Sequence, residues 1–81
     1  MVLLILTRQG FEDYAALETD LGPLWLAEGV LSSQELADLR LRRRSVTNFS
    51  RAIELGDAEQ ISEALETIKE HHPGERVWVE A

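Results

Sequence analysis

The chain has no cysteine, which excludes disulfides, thiolate nucleophiles and zinc sites built on sulfur. It also lacks any long apolar run. The apolar opening, Val2-Leu3-Leu4-Ile5-Leu6, is too short to cross a bilayer. It has neither a basic lead-in nor a small-residue cleavage site, so it is not expected to be a signal peptide. A buried strand and a cytoplasmic protein are the expectation. Basic residues are scarce, eight against fifteen acidic ones, for a net charge of -7. Phosphate repulsion would oppose non-specific binding to nucleic acid. Screening nevertheless limits each charge to about 8 Å at physiological salt, so a local cluster can act against the average.

What is present is a globular composition. Apolar residues make up 44% and charged residues 28% of 81 positions, enough for a single domain over residues 1–81. Strand-like runs alternate with helical ones. After the first strand, Thr7-Arg8-Gln9-Gly10 turns the chain into a helix expected from about Phe11 to Leu21, facing inward through Phe11, Tyr14, Ala15, Leu17 and Leu21. Gly22-Pro23 stops it. Leu24 to Ala27 forms a second strand. Ser32 and Glu35 then make a capping box, with Leu31 and Leu36 placed as a hydrophobic staple, for a helix reaching about Arg43. A weaker strand is expected near Ser45–Phe49. Asp57 caps the last helix, with Gln60 completing a second box. Ile61, Ala64, Leu65 and Ile68 give that helix an apolar stripe, while Glu59, Glu63, Glu66 and Glu70 face solvent. Val77-Trp78-Val79 is the fourth strand.

The order β-α-β-α-β-α-β implies an α/β domain with a four-stranded, mainly parallel sheet and right-handed crossovers. In shape it resembles a truncated flavodoxin-like or half-Rossmann unit. The order 2-1-3-4 is expected, because it puts the most apolar strand inside. Trp25 belongs to the core, whereas Trp78 on an outer strand can meet a partner.

Several chemistries find no support. The turn after the first strand holds one glycine, Gly10, and not the glycine-rich pattern that cradles phosphates. "LWLAEGVLSSQEL" resembles the glutamate-bearing strand of Toprim domains over about a dozen residues. The chain has no Asp-x-Asp pair to hold the magnesium which that resemblance implies. His71 and His72 are adjacent on a helix and point about 100° apart, so they do not converge on one metal ion. Near a helix C-terminus they complement the dipole instead. No metal, no cofactor and no catalytic residue is expected, and an enzymatic role ranks below a binding or accessory one.

Two surfaces are candidates for binding. Arg40, Arg42, Arg43 and Arg44 cluster at the end of the second helix, where cations favour the dipole by about 0.3–1 kcal/mol each. Four of them exceed what finishing a helix requires. With Trp78 they are the candidate contacts of a protein-interaction module, for a protein partner, a second copy, or less strongly an acidic surface or RNA. The alternative is a small anion or nucleotide phosphate at the carboxyl ends of strands one and three, held by Arg8, Gln9, Gly10, Asn48, Ser50 and Arg51. Glu12 and Asp13 compete for those arginines.

Overall fold

The computed structural model describes residues 1–17, 22–42 and 45–80. Four strands, β1 (Val2–Ile5), β2 (Leu24–Leu26), β3 (Val46–Asn48) and β4 (Val77–Glu80), alternate with three helices, α1 (Arg8–Ala16), α2 (Ser33–Arg42) and α3 (Ala58–His71). All three strand pairings are parallel, as the alternation of elements implied.

The strand order is β3-β2-β1-β4, which corrects the expected 2-1-3-4. Both arrangements keep β1 inside. The difference lies in β2, whose Leu24-Trp25-Leu26 is buried throughout, while every residue of β3, Val46-Thr47-Asn48, is only half-buried. A strand apolar on both faces needs neighbours on both sides, and a half-polar strand tolerates an edge.

Register shows which residues share a face, since laterally paired residues of a parallel sheet point the same way. Leu4 pairs with Trp25 and Val79, and Trp25 pairs with Thr47. Leu3 pairs with Leu24 and Trp78, and Ile5 with Leu26 and Glu80. Right-handed crossovers place α1 and α2 over the Leu3 and Ile5 face and α3 over the other. The contacts agree. Trp25 meets the end of α3, with ring centroids 5.4 Å from His71 and 6.0 Å from His72. On the opposite face Leu3, Tyr14 and Trp78 line one groove. Leu4, Ile5, Leu24, Leu26 and Ile68 are buried completely within one continuous core cluster.

The helix starts follow local chemistry. Thr7 caps α1, its hydroxyl accepting from the Gly10 N–H at 2.9 Å, so α1 begins at Arg8, three residues before the expected start. Glu12 and Asp13 therefore lie beyond the first turn. Tyr14 is buried and Phe11 half-buried, but Ala15 and Leu17 are exposed rather than inward; the expected extension to residue 21 lies outside the described residues. The capping box at α2 forms as expected: Glu35 N–H donates to Ser32 Oγ at 3.2 Å, and Ser32 N–H donates to Glu35 Oε1 at 3.0 Å. Leu31 is buried and Leu36 packs on the core. Asp57 caps α3 through the N–H groups of Glu59 and Gln60. Gln60 does not complete a second box; its Oε1 instead accepts from the Glu54 N–H at 2.9 Å.

Gly22 supports the entry to β2. Its φ is +132°, and a Cβ built there would overlap the Met1 carbonyl oxygen. Both features exclude a side chain. Gly22→Ala should cost about 1–3 kcal/mol, read as a lower urea midpoint with an unchanged denaturant slope.

Candidate functional site

The expected anion crevice depended on β1 and β3 being neighbours. β2 lies between them, so their carboxyl ends stand two strand spacings, about 10 Å, apart. The two groups of candidate ligands accordingly have separate surroundings. Arg8 Nη1 donates to Glu35 Oε2 at 2.6 Å and its Nε to Glu12 Oε1 at 3.3 Å. Gln9 donates to Asp13 at 3.0 Å, one helical turn on. Arg51 Nη2 donates to Glu63 Oε2 at 2.7 Å. Ser50 and Arg51 line a groove of about 270 Å³ against α3, with Phe49, Gln60 and Thr67. Asn48 Nδ2 donates to Glu28 Oε2 at 2.7 Å and to the Phe49 carbonyl at 3.0 Å. Each arginine already holds a carboxylate, and they do not converge.

The observed order moves the topological switch point to the boundary between β1 and β4, where α1 leaves one way and α3 arrives from the other. There the chain fills the space itself. Leu6 N–H donates to the Glu80 carbonyl at 2.9 Å. A Cβ on Gly10 would lie 3.1 Å from that carbonyl oxygen. Gly10 therefore serves close approach of α1 to β4, and the Thr7 hydroxyl, not a ligand, meets its N–H.

The pair of Arg8 and Glu35 joins the starts of α1 and α2. The hydrogen bond to Glu35 raises the Arg8 pKa, against desolvation acting the other way. The Glu35 carboxyl is lowered, first by the Ser32 backbone N–H and then by Arg8. Each interaction favours the ionised form. Both groups are exposed, so their contribution is screened and modest. A carboxyl lowered on folding stabilises above its unfolded value and loses that contribution as pH falls through its folded one. The Glu35 side-chain resonance should therefore titrate below the ordinary glutamate value of about 4.3. Glu35→Gln should flatten the decline in stability on acidification below that value, measured by urea unfolding across pH. A Glu35 midpoint at or above the ordinary value would contradict the pairing.

The basic cluster is only partly described: Arg43 and Arg44 lie outside the described residues. Arg40 and Arg42 are exposed in the last turn of α2. Neither forms an ion pair among the described residues. Between them Leu41 is 87% exposed, while Leu39 on the opposite side of the helix is buried. Leu41 escaped the sequence reading because the arginines dominate that stretch. The available signal was helical phase, since residues two apart point to opposite sides.

Trp78, grouped with those arginines at first, belongs elsewhere. It sits on β4, the outer strand opposite β3. Trp78 is 55% exposed, and its Nε1 donates to Glu80 Oε1 at 2.7 Å. Beside it a groove of about 410 Å³ runs between α1 and β4, lined by Leu3, Tyr14, Leu17 and Trp78 among others. Trp25, by contrast, is 5% exposed and takes its place in the core beside Phe49 at 5.3 Å. His71 is exposed and hydrogen-bonds the Thr67 carbonyl through Nδ1 at 2.9 Å; a carbonyl only accepts, so Nδ1 carries the proton. No cluster of metal-ligating side chains occurs among the described residues, and no helix among them is long and apolar enough to cross a membrane.

Comparison with protein-family models, with curated proteins and with solved structures finds no match for this chain.

Proposed function

We propose that this domain is a protein-interaction module that docks an acidic, partly apolar protein surface through the end of α2. The observation that carries this reading is Leu41, 87% exposed between Arg40 and Arg42. Near the strand ends Arg8 and Arg51 each hold a carboxylate. At the end of α2 the guanidinium groups are left to solvent beside an apolar side chain. Exposed apolar area supplies affinity on docking, at about 25 cal/mol per Å² removed from water. Flanking cations supply orientation and a faster encounter.

The rest of the surface supports a selective partner. A net charge of -7 repels polyanions at long range, which opposes RNA. Screening confines the influence of more distant acids to about a Debye length, so Arg40 and Arg42 act locally. A compact acidic patch fits that constraint better than an extended phosphate backbone.

A glutamate-rich peptide bearing leucines and a single-stranded RNA of equal charge are the discriminating probes. Titrated against isotope-labelled protein at low salt, the peptide should shift the Leu39 to Arg42 amides, and added salt should reverse the shift. Leu41→Asp should weaken that binding by about tenfold, a loss on the order of 1.4 kcal/mol. Unmoved amides, or equal binding in the Arg40→Glu and Arg42→Glu variants, would remove the basis for the proposal. Stronger binding of the RNA would replace the protein partner with a nucleic acid.

A further inference from the structure

The outer edge of β4 is written so that it matches itself. Register fixes which backbone groups it presents. Val2 N–H donates to the Arg76 carbonyl at 2.7 Å and Leu6 N–H to the Glu80 carbonyl at 2.9 Å, with Leu3 beside Trp78 and Leu4 beside Val79. In a parallel ladder alternate residues direct both backbone groups to the same neighbour. Trp78 therefore turns its N–H and C=O toward β1. Val77 and Val79 turn theirs outward. Among the described residues no strand pairs with that side.

The geometry points to a second copy of this chain as the occupant, paired antiparallel along β4 about a two-fold axis through Trp78. In that register Val77 of one copy lies opposite Val79 of the other. These are the residues with outward backbone groups, so each pair exchanges two hydrogen bonds, four in all. Trp78 faces Trp78 in the closer, non-hydrogen-bonded position, where aromatic pairs add most. One step further, Arg76 of each copy lies opposite Glu80 of the other.

The charge pattern selects this partner. Arg76-Val77-Trp78-Val79-Glu80 reverses sign about its centre, so antiparallel self-pairing matches cation to anion at both ends. Directly opposite residues have Cβ atoms about 4.5–5.5 Å apart, within reach of an ion pair. Arg76 has no ion pair among the described residues. Glu80 uses Oε1 for the Trp78 indole, which leaves Oε2. A strand with the same charge at both ends would oppose itself in this arrangement.

Side-chain faces agree as well. Trp78 lies on the α1 side of the sheet, next to the groove that Leu17 also lines, and Leu17 is 60% exposed. The indole of the second copy would cover apolar surface there. Val79, 38% exposed, would gain cover on the α3 side. The product is one eight-stranded sheet, isologous as two-fold interfaces are, with an α2 end on each half beyond the joined edges.

Sedimentation equilibrium of the full chain over rising concentration tests the pairing. The expected mass climbs from 9.2 kDa toward twice that value. Arg76→Glu places like charges opposite each other at both ends and should raise the dimer Kd about tenfold. Glu80→Arg should do the same, and the two reversals combined should restore pairing. Val79→Pro removes one outward N–H per copy at an edge position that proline tolerates, and should leave a monomer with unchanged circular dichroism. A mass fixed at 9.2 kDa at every concentration overturns the inference. So does a dimer that ignores the charge reversals, or one that the combined reversal does not recover.

Discussion

Burial of β1 is the constraint on which the rest of the structure depends. Val2, Leu3, Leu4 and Ile5 are all shielded from water, and shielding both faces and both sides of one strand takes two neighbouring strands and helices on either face. Each fully buried aliphatic side chain contributes about 1.5–3 kcal/mol, so exposing this strand would remove a large share of a small domain's stability. β2 and β4 take the flanking positions, and α1 and α3 close opposite faces.

That arrangement also governs what the surface offers. With β4 beside β1, the chain reverses direction at their shared boundary, the usual opening for a ligand in an open parallel sheet. Here the opening is closed by the close approach of Gly10 to the Glu80 carbonyl. The short Thr7-capped entry to α1 leaves no loop in which a phosphate could sit. Arginines near the strand ends are drawn into pairing with Glu35 and Glu63. The two proposed partner surfaces lie at the periphery, at the end of α2 and along β4.

Those two surfaces have different physical character. The end of α2 combines exposed guanidinium cations with one apolar side chain, suited to encounter and orientation. The β4 edge combines ordered backbone donors and acceptors with an indole, suited to register-specific pairing. α2 connects β2 and β3 at one edge of the sheet and β4 is the opposite edge strand, so the two surfaces are separated by the width of the sheet.

Local chemistry made much of this legible from sequence. Helix caps at Ser32 and Asp57, the apolar stripe of α3, the strand character of Val2–Ile5 and the parallel α/β class all depend on residues close in the chain, and all appear in the fold. The early start of α1 was encoded too, in the Thr7 hydroxyl three residues before Gly10. Strand order was not settled by the apolarity of β1, because 2-1-3-4 and 3-2-1-4 both bury that strand. Only comparison of the wholly apolar β2 with the half-polar β3 separates them, and pairing between distant segments enforces the choice. The candidate sites followed from that choice. Arg8 and Arg51 carry the same side chain in either order, but only the tertiary structure decided which carboxylate each one meets. By itself the sequence determined the elements, because capping and periodicity act within a few residues. Tertiary structure decided the neighbours, because they depend on which buried strand gains most from cover on both sides.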